Sequence, residues 1–506
     1  MLRESGLYAL ANLINRSAGL VLLPVYTRWL SAADFGRYAL IISLLEVLST
    51  LCGAGLVQAM TRLYFDYPEH DRRRDRLVTT TLLMILAVVA VFGVISPLIA
   101  SPLALLLTGD HGHGTEMAAA LPGVPCSVLL DILVGYFTML RRPLAVLMVA
   151  SAKAVFLIAL TLFFIFTLDL GVLGVFAAQS LAFATIAIAG SALLLWRLGL
   201  HCDAGMLRRL LHFGLPLVPS VLADTASSVA ERWIVNHLLG AAALGSWALA
   251  QRIGYTIQAF VSTPFAQTFF VRRLEAFENG RPQAALNRVL SSFFIMLGMA
   301  VFSLSLFAPE IIRVLAPHGF DETARILPLS ALCVALAGVT MHVEVGLLFS
   351  KRTGVVSIIS VTSLCATLPA IWIGIGLFGL AGAPIAQAVM LLVRIAVAWH
   401  VNRAVGFAEI GTEWRAGFAT LLLLFVIGYL ASSFGMSNGL GWTLPARWQL
   451  TGWQIVLAKV IGLLGSACLL FRSSLVSKET KAMMLGQGAP RMRSRLTNPR
   501  EDPHKP

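Results

Sequence analysis

Between Leu7 and Phe471 the sequence is a succession of about fourteen long apolar segments, and little between them is long enough to fold separately. A bilayer's hydrocarbon core is roughly 30 Å thick and takes about 20 helical residues to cross. Fourteen crossings would then use roughly 300 of the 506 residues, leaving connecting loops and one tail. The pattern predicts an all-α polytopic membrane protein. Its expected spans are 7–30, 39–60, 77–99, 118–140, 144–167, 172–196, 213–239, 244–270, 289–308, 324–350, 354–376, 380–402, 416–435 and 452–471. Function is thereby restricted to conducting, transporting, flipping a lipid or reacting with a membrane-borne substrate.

Only 12% of residues are charged, yet the net charge is +13. With the N-terminus placed in the cytoplasm, inward segments hold 27 Lys and Arg, against five at the outer ends of spans (Arg28, Arg37, Arg313, Arg325 and Arg447). Because Lys and Arg are retained on the cytoplasmic side during insertion, both termini are expected there. The basic balance is topological and calls for no nucleic acid. Five of the six cysteines fall in spans and Cys202 lies in a loop, so neither a disulfide framework nor a metal pair is suggested. His111 and His113 stand alone in a Gly-rich loop, and no metal or cofactor is expected. No GxxxxGK[ST] phosphate loop occurs, so the chain itself does not use ATP in that way.

An internal repeat organises the chain. Leu30–Leu40 reappears 209 residues later as Leu239–Leu249 with six of eleven positions identical. Gly171–Gln179 matches Gly379–Gln387 at an offset of 208, and Arg141-Arg142 matches Lys351-Arg352 at 210. Three matches joining equivalent span junctions indicate a duplicated six-span unit. Six being even, the copies share one orientation and form a parallel repeat, the architecture of alternating-access transporters. The expected domains are a six-helix lobe over 1–203, a second over 204–405, helices 13 and 14 over 406–471, and a basic cytoplasmic tail over 472–506 with the composition of a disordered segment.

Charged groups in a span are costly, so their positions point to the cleft. In span 7, Ser220, Asp224, Ser227 and Glu231 share one helical face; Asn12, Asn15, Arg16 and Gly19 make a similar stripe in span 1. Span 8 adds Gln251, Arg252, Tyr255 and Gln258, and span 2 adds Glu46. Together they predict a hydrated cleft with both charge signs. Arg394 and Lys459, each the only charge of its span, read as structural; Asp131, His342 and Glu344 are open, Lys153 can snorkel, and Glu231 with Arg232 can form a structural ion pair. A carboxylate in a low-dielectric cleft can exchange a proton between sides, which makes Asp224 and Glu231 candidates for H+ or Na+ coupling.

The runs Asn15-Arg16 through Pro24, Thr27-Arg28-Trp29-Leu30, Asp34-Phe35-Gly36-Arg37-Tyr38 and Thr61-Arg62-Leu63-Tyr64-Phe65-Asp66-Tyr67 resemble the opening of the polysaccharide-biosynthesis flippases. So do Phe213-Gly214-Leu215-Pro216, Glu231-Arg232 before Leu239-Gly240, and Ala308-Pro309-Glu310-Ile311-Ile312. These belong to the multidrug/oligosaccharidyl-lipid/polysaccharide exporter superfamily. One departure is Glu231-Arg232 where an Asp-Arg pair is common. The resemblance implies two six-helix lobes around a V-shaped cleft in a bacterial cytoplasmic (inner) membrane. The implied substrate is an undecaprenyl-pyrophosphate-linked oligosaccharide for surface polysaccharide such as lipopolysaccharide or exopolysaccharide. Arg16, Arg62 and Arg252 would attract its pyrophosphate, while Asn12, Asn15, Gln251 and Gln258 would bond sugar hydroxyls. Partners would be membrane lipids and the polysaccharide polymerase and chain-length machinery. The competing readings are an ion-coupled multidrug antiporter of the same fold and, less well matched, a membrane glycan polymerase or ligase; only the last would be an enzyme.

Overall fold

The computed structural model describes residues 2–68, 71–266, 269, 283–316, 319–349, 353–404, 413–436 and 459–466. Among them the regular structure is helical throughout, with no strand. The first half holds α1 (Leu2–Val21), α2 (Leu23–Trp29), α3 (Ala32–Gly53), α4 (Leu56–Tyr64), α5 (Arg72–Thr108), α6 (Gly114–Ala120), α7 (Gly123–Met139), α8 (Pro143–Phe166) and α9 (Gly171–Leu198). The amphipathic α10 (Ala204–Gly214) leads to α11 (Val218–Leu239) and α12 (Ala241–Ile257), which continues as a π-helical turn over Gln258–Ser262. Then follow α13 (Gln283–Leu306), α14 (Ala308–Leu315), α15 (Asp321–Phe349), α16 (Thr353–Phe378), α17 (Gly382–Ala404) and α18 (Glu413–Met436), with residues 459–466 also helical.

Ten helical stretches are long and apolar enough to cross a membrane, or eleven when the bent pair Ala204–Leu217 and Val221–Leu239 counts as one span. Fourteen crossings are thus not reached by this measure. Two causes are visible. The stretch Ile358–Ala404 counts once although α16 and α17 within it fold back and pack on each other. Expected spans 8 and 14 run partly outside the described residues, as does the tail over 472–506. The expected outward loop after residue 99 is also corrected. Helix α5 runs on to Thr108 through Pro97 and Pro102, and at 37 residues it is about 56 Å long, well beyond the hydrocarbon core.

Local sequence sets the breaks that shape the bundle. Pro24 in the first turn of α2 lacks an N–H, and α1 and α2 part at Leu22. Ser31 and Asp34 cap α3 reciprocally, starting it sharply two residues after Leu30. At its far end Ala54 and Gly55 are left-handed, with φ of 44° and 69°, separating α3 from the amphipathic α4.

Helices α1, α3 and α5–α9 pack among themselves, as do α12, α13, α15, α17 and α18. The two groups meet where α3 lies against α11 and α12 and where α2 touches α14. Three large hydrophobic clusters report how they join. One draws on both groups, with Leu22, Phe35, Tyr38 and Phe176 beside Trp247, Phe320 and Ile371. The other two are confined to one group each, around Met60, Leu77 and Leu133 and around Phe293, Leu297 and Val339. The confined clusters lie at the end carrying the basic loops, the shared one at the opposite end. Among the described residues the bundle is therefore fused at one end, while its clusters toward the basic end are separate.

The fusion turns on two glycines. A Cβ at Gly36 of α3 would lie 1.9 Å from the carbonyl oxygen of Ala241, and one at Gly245 of α12 would lie 1.9 Å from that of Ala32. Gly36 and Gly245 are equivalent positions in the 209-residue repeat. The repeat thus brings its own two copies of one motif into backbone contact.

Candidate functional site

Across this junction run polar contacts from the second group to the first. The half-buried Arg252 guanidinium of α12 donates to the Gly19 carbonyl of α1 at 3.3 Å and to the Tyr38 hydroxyl of α3 at 3.4 Å. Its Cζ also lies 6.0 Å from the ring centroids of both Tyr26 and Tyr38. Arg232 of α11 donates to the Ala39 carbonyl at 3.1 Å. Neither arginine pairs with a carboxylate among the described side chains. Carbonyl and phenol oxygens, the partners these cations have among the described side chains, leave the positive charge in place. Beyond it, at the fused end, the Thr27 hydroxyl donates to the Leu315 carbonyl and Arg28 donates to the Val314 carbonyl at 3.4 Å.

The acidic residues are placed differently. Buried Glu231 accepts from the Ser227 hydroxyl at 3.3 Å and from the Gln387 amide of α17 at 3.4 Å. It is not ion-paired to Arg232, whose guanidinium points across to α3. Glu231, Ser227 and Gln387 line a cavity of about 580 Å³ between α11, α16 and α17, with Arg394 also on its wall. Arg394 is spent: it grips Glu344 at 2.7 and 3.0 Å and the Ser360 hydroxyl at 2.9 Å. Lys459 is likewise held, 2.7 Å from Glu310 at the start of α14. His342 sits edge-on to Phe293 with ring centroids 4.8 Å apart.

Of the residues predicted to line the cleft, Asn12 and Asn15 are exposed on α1, next to and one turn along from Ala11, which packs against α8. Gln251 is buried, and exposed Gln258 opens the π-helical turn. Arg62 is exposed on α4, 2.5 Å from Asp66, at the basic end and away from Arg252. Arg16, Ser220 and Asp224 lie on helical backbone, and their side chains are outside the described residues. Sequence reasoning gave no site role to Arg232 or to Gln387. The signal for Gln387 was present, since Gln179 and Gln387 occupy equivalent places in the repeat.

A bundle of membrane-length helices, joined at one end and carrying arginines where its halves meet, has a fold seen in solved transporters. It matches the lipid II flippase MurJ in an inward closed conformation, with a TM-score of 0.69 and 14% identity over 92% of this chain and 99% of that one. An inward-facing multidrug resistance MATE family transporter of the MOP superfamily matches with a TM-score of 0.63 and 15% identity, over 80% and 96% of the two chains. A point mutant of the Vibrio cholerae MATE transporter VcmN gives 0.55 and 20% identity over 81% and 97%. No curated protein matches the sequence. The family model described as polysaccharide biosynthesis protein matches residues 1–270, more than half the chain, and the chain belongs to that family.

Proposed function

We propose that this protein is a flippase that carries an undecaprenyl-pyrophosphate-linked oligosaccharide from the cytoplasmic to the outer leaflet for surface polysaccharide assembly, by alternating access between two lobes, 1–203 and 204–405. The observation that carries the reading is Arg252, a cation between the two helix groups with no carboxylate partner among the described side chains. A pyrophosphate would replace its weak contacts with charge-assisted bonds, whereas a cationic drug would meet like charge. Arg16 is the second anchor on this reading, Arg62 gathers the headgroup at the cytoplasmic mouth, and Asn12, Asn15, Gln251 and Gln258 take sugar hydroxyls. The polyprenyl tail stays in lipid.

On this reading the basic end and both termini face the cytoplasm of a bacterial inner membrane, so the fused end is the outer seal. Coupling to H+ or Na+ belongs to Asp224 and Glu231, the latter supported by its place in a cavity against Gln387. The glycan polymerase and chain-length machinery would take the product; no step is enzymatic. The test is the lipid-linked oligosaccharide pool and surface glycan of cells lacking the gene, complemented with wild type or Arg252→Ala. Accumulated intermediate rescued by wild type alone supports the reading. Normal glycans in the deletion strain overturn it and favour a multidrug antiporter, read next by drug susceptibility.

A further inference from the structure

A second cavity, of about 380 Å³, lies between α3, α7 and α9, with Thr225 of α11 also on its wall. We infer that it is a subsite for a sugar ring of the translocated glycan, with Glu46 and Gln179 as its hydrogen-bonding pair; the inference rests on the flippase reading above.

Hydrogen-bonding capacity there is unspent. Glu46 is exposed to the cavity and Gln179 half-buried on its wall, and neither side chain has a hydrogen-bond partner among the described residues. The surrounding hydroxyls have given away their protons: Ser127 donates to the Val124 carbonyl at 2.7 Å and Thr225 to the Val221 carbonyl at 3.1 Å, while Ser49 and Ser127 lie 3.3 Å apart. What they offer inward is lone pairs, to which Glu46 adds two carboxylate oxygens and Gln179 an amide oxygen and two N–H groups. An acceptor-rich pocket fits a ligand rich in O–H donors, and the apolar Ile42 and Leu45 on the same wall suit the C–H face of a pyranose. A phosphate would be repelled by Glu46. A cation is the weaker fit, because the Arg232 guanidinium already acts on that carboxylate.

Position agrees with chemistry. Tyr38, which touches Arg252, and Glu46 are eight residues apart on α3, about 12 Å along its axis. A pyrophosphate at Arg252 would leave its first sugars within reach of the pocket. At about 380 Å³ the cavity is at the small end of ligand sites, suited to one ring rather than a whole oligosaccharide.

The test uses the full chain in lipid nanodiscs and three probes: bare undecaprenyl pyrophosphate, the undecaprenyl-pyrophosphate-linked glycan extracted from cells lacking the gene, and tetraphenylphosphonium. Wild type is expected to bind the glycosylated lipid about tenfold more tightly than the bare one, the worth of one or two hydrogen bonds. Glu46→Ala and Gln179→Leu should each erase most of that difference while leaving bare-lipid affinity unchanged, which also shows that the variants are folded. Equal wild-type affinity for the two lipids, or equal losses for both in the variants, overturns the subsite and leaves the flippase reading standing. Tetraphenylphosphonium binding that requires Glu46 reassigns the pocket to cations and overturns it too. Absence of an accumulated lipid-linked glycan, or failure of wild type to bind either lipid, removes the flippase reading and the subsite with it.

Discussion

Replacing Gly36 by alanine should break the seal at the fused end. The new methyl would lie 1.9 Å from the Ala241 oxygen and 2.9 Å from the Gly245 nitrogen, where ordinary contact begins at 3.4 Å, so α3 and α12 must part by about 1.5 Å. The obstacle is backbone, which cannot rotate aside as a side chain would. Parting by that amount takes the Arg252 donor of α12, now 3.4 Å from the Tyr38 hydroxyl of α3, beyond hydrogen-bond range. It also loosens the edge-to-face contact of Phe35 and Phe320, whose centroids are 6.0 Å apart. Overpacking of this kind costs about 1–3 kcal/mol. Because the cost falls only on the state closed at this end, it biases the protein toward the state open there by about 5- to 150-fold. The assay is labelling of an Ala316→Cys reporter, buried beside the seal, by a membrane-impermeant maleimide in a background without the native cysteines. Labelling should rise at least about fivefold with Gly36→Ala and equally with Gly245→Ala, and glycan export should fall. Gly93→Ala, where a Cβ meets nothing within 4 Å, is the silent control. Unchanged labelling and full export in both variants, with the protein present, would refute the reasoning.

Arg252→Ala should abolish export and Arg252→Lys restore a fraction of it, because lysine returns the charge without the guanidinium fork; equal export from wild type and Arg252→Ala would count against an anion site. Glu344→Gln should lower the thermal stability of the detergent-solubilised protein by about 3 kcal/mol, since it strands Arg394 in a largely buried pair, and the double change Glu344→Leu with Arg394→Met should recover most of that. A double-mutant cycle on Lys459 and Glu310 should show a coupling of about 1–2 kcal/mol in the same measurement, and none if the contact is incidental. Exposed Cys202, beside α10 at the basic end, should react with impermeant maleimide in inverted vesicles and not in intact cells; the reverse pattern would invert the assigned topology.

The helical membrane class was legible because long apolar runs leave no alternative in a bilayer. Helix ends were less so. The third expected span ended at residue 99, yet α5 continues through Pro97 and Pro102 to Thr108, since neighbouring helices can satisfy the carbonyls that proline frees. The matched spacing of Gly36 and Gly245 was visible as a repeat, but only three-dimensional proximity reveals that each faces the other's helix. The same limit hid the partners of Glu231: its amide donor lies 156 residues away, whereas its neighbour in sequence, Arg232, turns to another helix. Consecutive residues of a helix point about 100° apart, so adjacency argues against pairing rather than for it. The structural reading of Arg394 and Lys459 needed only the rule that a lone intramembrane charge finds a partner, and each has one.

That rule also separates spent charges from unspent ones. Glu344 and Glu310 are each bound to a cation, and Glu231 is held by a hydroxyl and an amide in a side cavity, so none of the three presents a free carboxylate to the junction between the helix groups. Arg252 and Arg232 both reach across that junction, and among the described side chains their hydrogen-bond partners are carbonyl and phenol oxygens, with the Glu46 carboxylate near enough to act on Arg232 without bonding to it. Half-burying guanidinium groups without a hydrogen-bonded counter-ion among the described side chains is costly, and a bundle that could close on itself more cheaply with apolar residues gains nothing in stability from them. Their cost is intelligible if a negative charge arrives from outside the chain. A drug cation would raise that cost, and a lipid pyrophosphate would remove it.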